Sequence, residues 1–458
     1  MKAMTSLADA AALAGGELFG ADAEFSAVST DTRSLRAGEL FVALNGPNFD
    51  GHEHLRRAAI LGAAGALVSR RIDCELPQIL VDDSLIGLQC LARGWRRRYS
   101  LPVLAVTGSN GKTTVKQMLA AILATQGEVL ATAGNLNNHI GVPLTLLRLR
   151  GEHAYAVIEM GANHAGEIAA LTAIAQPQIG IVTQAGDAHL EGFGSRDGVA
   201  HAKGELFAGL PDNGVAVINA DDHYHGLWSE LAAERAVLDF GLRAAAAVTA
   251  EAVSSTPAEA PVAMQFELLT PSGRAPVYLP LPGQHNVSNA LAAAAAATAL
   301  GLDAAQIAAG LGQVRNVGGR VQVRQCRAGA QLLDDSYNAN PDSLRAGLAL
   351  LQNWPGEHWL VLGAMAELGE QTEAQHAAAG RMARDTGVAR LFTLGPVAAA
   401  AATEFGVGAE RFEAVEALIE RLDEQLDSKV VLLVKGSRSA RMERVVQALL
   451  LGENAHAV

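Results

Sequence analysis

Aromatic residues, cysteines and positive charge are all scarce in this sequence, and each shortage excludes a class of protein. Aromatic side chains form 4% of the 458 residues, and 35 Lys and Arg are set against 48 Asp and Glu, a net charge of -13. A chain with that charge repels polyanions, so we expect no nucleic-acid partner. Cys74, Cys90 and Cys326 are too few and too scattered for a disulfide framework or a CxxC metal site. They indicate free thiols in a reducing cytoplasm.

A signal peptide and a long hydrophobic run are also missing. The first 20 residues have neither the basic start nor the long apolar segment of a secretory signal. The most apolar stretch, residues 290–302, is mostly alanine and falls short of the roughly 20 residues that a membrane span needs. We therefore expect a soluble protein with no membrane insertion.

Hydrophobic residues, in contrast, are abundant. They form 50% of the chain, which is enough for buried cores, and the length predicts two to four domains. One boundary is expected near Ser100, where a basic stretch gives way to an apolar strand. A second is expected near Gln313, after an Ala-rich helix and a short helix that follows it. The predicted domains are residues 1–99, 100–313 and 314–458.

Apolar strands alternate with helical patterns in the second and third domains, as a parallel α/β sheet requires. In the second domain, strands are predicted at 155–158, 179–182 and 215–218, and the segment 248–281 is predicted to form an antiparallel excursion. The third domain is Rossmann-like by pattern but has no GxGxxG after its first strand. Its predicted strands are QLLDD, HWLVLG, RLFTLG and VVLLVKG, and its predicted helices lie around 344–351, 373–386, 414–426 and 440–450.

A Gly-rich turn between an apolar strand and a helix start is the strongest local motif. It is Thr107-Gly108-Ser109-Asn110-Gly111-Lys112-Thr113. In this setting backbone N–H groups and a helix N-terminus hold phosphate, the lysine reaches the β and γ phosphates, and the threonine hydroxyl binds Mg²⁺. Val106 occupies the place of the first glycine of the common P-loop pattern. The sequence therefore predicts an ATP and Mg²⁺ site, although with one departure from that pattern.

A P-loop site normally adds a carboxylate at the end of a neighbouring strand, because Mg²⁺ prefers oxygen ligands. Glu159, at the end of the run AYAVIE, fits that place. His189 and Lys203 are weaker candidates for the metal site, because an isolated histidine or lysine is more often a solvated surface residue than a metal ligand.

Two polar clusters follow strands of the third domain. They are residues 334–341, DDSYNANP, and residues 435–438, KGSR. Ligands of open α/β sheets bind at the carboxyl ends of strands, so these clusters predict that the third domain closes over a nucleotide held by the second. Asp342 is predicted to cap the helix that follows the first cluster.

Together these motifs resemble the Mur ligases over essentially the whole chain. That family has its own P-loop variant with Val in the first glycine position, as here. The Mur ligases build the peptide of the peptidoglycan precursor in successive steps. Segments 29–33, 38–44 and 50–52 resemble the UDP-sugar-binding domain that is shared by the two ligases acting later in that pathway. The family member that adds the third residue of the peptide carries a DNPR signature, and this sequence has no DNPR. Four segments instead match the member that adds D-alanyl-D-alanine: residues 134–143, 334–343, 363–369 and 435–438.

The resemblance implies a three-domain α/β fold: a small UDP-sugar-binding domain, a central P-loop ATPase domain with a parallel sheet, and a Rossmann-like C-terminal domain. It implies that D-alanyl-D-alanine is joined to UDP-N-acetylmuramoyl-tripeptide through an acyl phosphate, with ATP and Mg²⁺, in cytoplasmic peptidoglycan precursor synthesis. We expect the chain to be a monomer.

The resemblance also implies roles for particular residues. Lys112, Glu159, His189 and Lys203 would be catalytic, and the metal would be held by Thr113, Glu159, His189 and a carbamylated Lys203. Asn286 and Asn289 would lie by the adenine, Arg320 by the phosphates or ribose, and Asp335 by the nucleotide. The implied substrate-binding residues are Thr32, Arg33, Asn48, Asp50, His52, Asn135, Asn137, Asn138, Tyr337, Asn338, Asn340, Lys435 and Arg438.

Two alternatives stay open from the sequence. One is a relative such as the tripeptide-forming ligase or folylpolyglutamate synthase, which differs in the amine acceptor. The other is a P-loop ATPase or nucleotide-gated switch with no ligation product. The second alternative accounts for the P-loop and Glu159 but leaves the segment 137–143, NNHIGVP, and the two polar clusters of the third domain without a role.

Overall fold

Each third of the chain builds its own main β-sheet in the computed structural model, which describes residues 3–256, 262–315 and 318–450. The first domain has a five-stranded sheet of order β2-β9-β8-β5-β4, parallel except for β2, and a small hairpin, β6-β7. Its elements are β1 Thr5–Ser6, α1 Leu7–Ala14, β2 Glu17–Phe19, β3 Glu24–Phe25, β4 Val28–Ser29, β5 Leu40–Val42, β6 Asn45–Gly46, β7 Phe49–Asp50, α2 Leu55–Ile60, β8 Gly65–Val68, β9 Gln78–Leu80 and α3 Ser84–Arg96.

The second domain is centred on a six-stranded parallel sheet of order β11-β12-β10-β13-β14-β15. The predicted strands at 155–158, 179–182 and 215–218 are confirmed as β12, β13 and β14, and the antiparallel excursion as the three-stranded sheet β16-β17-β18. Its elements are β10 Val103–Thr107, α4 Lys112–Ala124, β11 Glu128–Ala131, α5 Gly141–Leu146, β12 His153–Glu159, α6 Glu167–Ala175, β13 Ile179–Val182, α7 Leu190–Phe193, α8 Arg196–Ala208, β14 Val215–Asn219, α9 His225–Ala232, β15 Ala236–Phe240, β16 Thr249–Ser255, β17 Met264–Thr270, β18 Gly273–Leu279, α10 Gln284–Ala299 and α11 Ala304–Leu311.

The third domain has a six-stranded sheet of order β19-β20-β24-β21-β22-β23, in which β19 alone runs antiparallel to its neighbour. Its four predicted strands are confirmed within one residue. Its elements are β19 Gln322–Gln325, β20 Gln331–Asp335, α12 Pro341–Leu351, β21 Glu357–Leu362, α13 Thr372–Asp385, β22 Arg390–Leu394, α14 Ala399–Phe405, β23 Ala409–Phe412, α15 Val415–Gln425, β24 Val430–Lys435 and α16 Glu443–Leu449.

The predicted N-cap of α12 is wrong. The helix is capped by Asn340, whose side chain accepts from the backbone N–H of Ser343 at 2.8 Å, and Pro341 occupies the first helical position. Proline suits that position because its missing N–H has no intrahelical partner there and its φ is already helical. Asp342 therefore falls in the first turn of α12.

The hydrophobic cores connect the domains unequally. Leu88 and Trp95 of α3 belong to the same buried cluster as Leu146 and Ile168, so the first two domains share one core. The third domain has two clusters of its own side chains, with Val262 of the second domain at the margin of one. The third domain consequently meets the second largely through polar groups.

Candidate active site

The phosphate loop follows β10, whose five residues are all buried. Gly108 and Gly111 have φ values of 142° and 83°, which favour glycine. A Cβ on Gly108 would lie 2.0 Å from Thr183 Oγ1, and one on Gly111 would lie 2.3 Å from Asn289 Oδ1. Both glycines are therefore required by conformation and by space. Lys112 then opens α4 and donates from Nζ to the carbonyl of Gly108 at 2.6 Å, and burial lowers the pKa of its ammonium.

Glu159 ends β12 beside the phosphate loop, in register with Val106 of β10. The side chain is buried, and Asn137 Nδ2 donates to its Oε1 at 2.8 Å. Its other oxygen, Oε2, has no hydrogen-bond partner and lies 3.5 Å from Lys116 Nζ. A buried carboxylate oxygen without a hydrogen bond, one strand from the phosphate loop, suits a hard divalent cation. The structure thus places Glu159 at the end of the strand next to β10, and its role as a Mg²⁺ ligand stays a prediction.

Lys203 is buried in α8 without an ion-pair partner among the described residues. Its Nζ donates to the carbonyl of Ala162 at 3.3 Å and lies 5.0 Å from the centre of the Phe193 ring. Burial, reinforced by the positive charge of Lys112, lowers the pKa of Lys203 to about 7. A large fraction of this amine is therefore unprotonated at neutral pH.

His189 faces the third domain. It has a left-handed φ of 56°, and its Nδ1 lies against the carboxylate of Glu367, a contact that holds the pKa of that carboxyl below its usual range. The two groups are close, but their geometry is not that of a hydrogen bond. Within the described ranges, no three His, Cys, Asp or Glu side chains come together as a metal cluster. A cation here would need ligands of other kinds, such as the Thr113 hydroxyl or a carbamate.

A cleft of about 1590 Å³ separates the second and third domains. It brings together most of the predicted nucleotide residues and part of the predicted substrate residues. Those that line it are Ser109, Asn110, Gly111, Lys112, Thr113, Asn286, Asn289, Arg320, Asp335, Tyr337, Asn338, Asn340 and Lys435. The predicted residues that do not line it are Thr107, Gly108, Glu159, His189, Lys203, Asn135, Asn137, Asn138, Arg438, Thr32, Arg33, Asn48, Asp50 and His52.

Polar contacts join the third domain directly to the phosphate loop. Asn340 Nδ2 donates to Asn110 Oδ1 at 2.9 Å, and Arg320 Nη2 donates to Thr113 Oγ1 at 3.0 Å. Asp342 accepts from the backbone N–H of Asp187 at 3.1 Å. The predicted ligand groups of the two domains are thus hydrogen-bonded to one another across the cleft.

Asp335 and Lys435 were predicted as separate contacts to nucleotide and substrate, but the structure pairs them. They lie opposite each other on β20 and β24, and Lys435 Nζ donates to Asp335 Oδ2 at 2.5 Å and to the carbonyl of Asn338 at 3.0 Å. Arg320 and Arg438 both stack near the ring of Tyr337, at 4.4 and 5.7 Å from its centre. The Lys435 ammonium therefore fixes the loop that carries Tyr337 and Asn338.

The predicted sugar-binding residues of the first domain divide into buried and exposed groups. His52 is buried: its Nδ1 lies 2.7 Å from Asp50 Oδ1, and its Nε2 accepts from the backbone N–H of Ser69 at 3.0 Å. A hydrogen bond from the side chain of Arg70 is the largest cause of the lowered pKa of Asp50. In contrast, Arg33 and Asn48 are exposed, and Thr32 is half-buried. His52 consequently supports the shape of this surface from beneath.

Several residues at the site were missed by sequence reasoning. Lys116, His285 and Glu367 each contact or face a predicted site residue or the cleft. For Lys116 a signal was available, since it follows Lys112 by four residues and so lies on the same side of α4. Glu367 lies in the segment 363–369 that the resemblance matches, but its contact with His189 follows only from the packing of the domains, as does the place of His285 at the cleft.

His285 predicts an acid sensitivity of the fold. Burial, followed by the charge of Lys435, lowers the pKa of His285 from 6.5 to about 4. Between those two values the unfolded chain binds more protons, so this group makes the free energy of unfolding fall as the pH drops from about 6.5 to about 4. We expect His285→Asn to flatten that decline, as measured by urea denaturation at several pH values. His164→Asn, at an exposed position, is the matched control; equal slopes for all three proteins would contradict the prediction.

Comparisons with known proteins identify the family. Residues 106–297 match the family described as "Mur ligase middle domain", and residues 319–438 match "Mur ligase, glutamate ligase domain". The chain belongs to the Mur ligase family. The curated UDP-N-acetylmuramoyl-tripeptide–D-alanyl-D-alanine ligase of Escherichia coli K12 is 47% identical to this Mur ligase over 95% of the chain and 96% of the relative.

Solved structures agree with the three-domain Mur ligase fold. A crystal structure of MurF from Acinetobacter baumannii superposes with a TM-score of 0.91 at 36% identity, covering 98% of each chain. MurF from Thermotoga maritima in complex with ADP has a TM-score of 0.79 at 27% identity, covering 92% of this chain and 96% of that one. Within the described parts of this Mur ligase, no helix is both long and apolar enough to cross a bilayer.

Proposed function

We propose that this chain joins D-alanyl-D-alanine to UDP-N-acetylmuramoyl-tripeptide and forms ADP and phosphate. The observation that carries the proposal is the phosphate loop, with Lys112 and Glu159 beside it, at a cleft that the third domain closes. The 47% identity to a ligase named for this reaction supports the choice of substrates. The product is the UDP-linked pentapeptide precursor of peptidoglycan.

Amide formation in water requires activation, because a carboxylate oxygen is a poor leaving group. The terminal carboxylate of the tripeptide attacks the γ-phosphorus of ATP, and ADP leaves. The amine of D-alanyl-D-alanine then attacks the acyl carbon, and phosphate leaves from a tetrahedral intermediate. The first step brings two anions together, so cationic groups fixed in a water-poor cleft lower its activation free energy by several kcal/mol.

Lys112 supplies one such group. Its Nζ is hydrogen-bonded to the carbonyl of Gly108 at the start of the loop, which holds the ammonium beside the phosphate-binding turn. Arg320, contributed by the third domain, supplies a second cation, and its Nη2 donates a hydrogen bond to Thr113 Oγ1. Asn286 and Asn289, at the start of α10, line the same cleft and would lie by the adenine.

Glu159 and Thr113 would hold Mg²⁺, together with His189 and a modified Lys203. When bound, the cation supplies positive charge against the phosphate oxygens. The unprotonated amine of Lys203 adds to CO₂ and releases a proton, which gives a carbamate with two oxygen ligands in place of an ammonium. His189 would have to exchange its contact with Glu367 for this role.

The polar contacts across the cleft support the placement of the second substrate. After β20, Asn340 contacts Asn110 of the phosphate loop, and Tyr337 and Asn338 line the same cleft, so D-alanyl-D-alanine would bind between the two domains. Closure there would also keep water from the acyl phosphate. Thr32, Arg33, Asn48 and Asp50 would bind the UDP-sugar on the first domain, and Asn135 and Asn138 the peptide. We further propose that the chain acts as a cytoplasmic monomer, since one chain supplies every group named.

One incubation tests the proposal. The protein is mixed with ATP, MgCl₂, D-alanyl-D-alanine and UDP-N-acetylmuramoyl-tripeptide ending in either diaminopimelate or lysine, and UDP-linked products are identified by mass spectrometry. We expect a product heavier by one dipeptide. Use of glutamate or diaminopimelate in place of the dipeptide would favour another member of the family. Phosphate release without any peptide product would favour an ATPase.

A further inference from the structure

A second lysine of α4, Lys116, lies buried behind the phosphate loop and has no role in the reaction described above. Its side chain is 1% exposed. The ammonium donates to the carbonyl of Thr132 at 2.8 Å and lies 3.5 Å from Glu159 Oε2. This approach is an ion-pair distance, and Oε2 forms no hydrogen bond.

Thr132 fixes both members of this pair. Its carbonyl accepts from Lys116, and its hydroxyl accepts from the backbone N–H of Glu159 at 2.9 Å. Asn137 restrains the other carboxylate oxygen. Because Glu159 is almost fully buried, its charge is strongly unfavourable unless a cation compensates it. Among the described residues, Lys116 is the one that forms an ion pair with it.

We propose that Lys116 is a positioning residue and internal counter-ion for Glu159. It compensates the carboxylate when no metal is bound, and its hydrogen bond to Thr132 keeps it from occupying Oε2. That oxygen stays available to a divalent cation. The same positive charge opposes the cation, so Lys116 stabilises the metal-free protein and weakens metal binding. The second half of this inference rests on the proposed function, whereas the first half does not.

Melting temperatures of four proteins test the inference: the natural chain, Lys116→Met, Glu159→Gln and the double variant. In EDTA we expect Lys116→Met to lower the melting temperature of the transition that includes the second domain by about 5 to 10 °C. Glu159→Gln in the same chain should recover at least about half of that loss. In ADP with increasing MgCl₂, Lys116→Met should reach half of its thermal shift at a roughly three- to tenfold lower MgCl₂ concentration.

A further variant separates charge from hydrogen bonding. Lys116→Gln keeps a donor for the Thr132 carbonyl but removes the charge, so we expect it to behave as Lys116→Met does. If Lys116→Gln matches the natural chain, or if the Lys116→Met and Glu159→Gln effects simply add, the inference is wrong and Lys116 is a structural donor. If Glu159→Gln retains the MgCl₂-dependent shift, the proposed metal site fails, and the EDTA cycle still decides the role of Lys116. Lys429→Met, at an exposed lysine of the third domain, should match the natural chain throughout.

Discussion

Replacing Lys112 by alanine is expected to abolish the ADP formation that depends on both D-alanyl-D-alanine and the UDP-linked tripeptide. The ammonium is held over the phosphate loop by the carbonyl of Gly108, and α4 begins at this residue. Its loss removes a fixed positive charge from the proposed site of phosphoryl transfer, and single groups of this kind change kcat by roughly 10²- to 10³-fold. Coupled assay of ADP release measures the effect.

The loss should be one of chemistry and not of folding. Lys112 is half-buried, and its hydrogen bonds are to carbonyls of its own loop, so the far-UV circular dichroism and melting temperature should change little. Lys429→Ala removes a lysine from an exposed loop of the third domain and should retain full activity. Unchanged turnover in Lys112→Ala would refute the assignment of the phosphate loop.

Replacing Lys203 by alanine is expected to reduce ligation by roughly 10²-fold or more, because it removes the proposed ligand for the cation and the charge that a carbamate would supply. The reason lies in the surroundings of its amine, which is buried, has no ion-pair partner among the described residues and has a pKa lowered to about 7. Such an amine reacts with CO₂, whereas an ordinary lysine is almost fully protonated at neutral pH. The natural chain in ¹³C-bicarbonate should show a carbamate carbon signal by NMR, and Lys203→Ala should not.

Two controls distinguish a carbamate from a structural lysine. Lys203→Arg keeps the positive charge but cannot be carbamylated, so we expect it to be as inactive as the alanine variant. Acetate added to Lys203→Ala should restore part of the activity, because a small carboxylate fits the space and charge of the missing group. Full activity of Lys203→Arg would exclude the carbamate.

The sequence predicts those parts of the site that depend on local order. The phosphate loop needs a strand, two glycines and a helix start, all of which are adjacent in the chain. The position of Glu159 follows from the parallel sheet, since Val106 and Glu159 end neighbouring strands in register. Both predictions required no knowledge of how the domains are arranged.

The rest depended on contacts between distant segments. The contact of His189 with Glu367 and the amide pair of Asn110 with Asn340 exist only because the third domain lies against the second. Pairing of Lys435 with Asp335 follows from strand order, which the sequence does not state. The position of the α12 cap has a local reason: Asn and Asp are equally good N-caps, and Pro341 decides between Asn340 and Asp342.

The unequal cores have a consequence for how the chain comes apart. Side chains of α3 are buried in one cluster with those of the second domain, so neither of the first two domains can lose its packing without exposing apolar surface of the other. The contacts of the third domain with the phosphate loop are hydrogen bonds, which water or a ligand can replace at small net cost. On heating, three structural units should therefore behave as two cooperative ones, and a bound nucleotide that bridges the cleft should bring their transitions closer together.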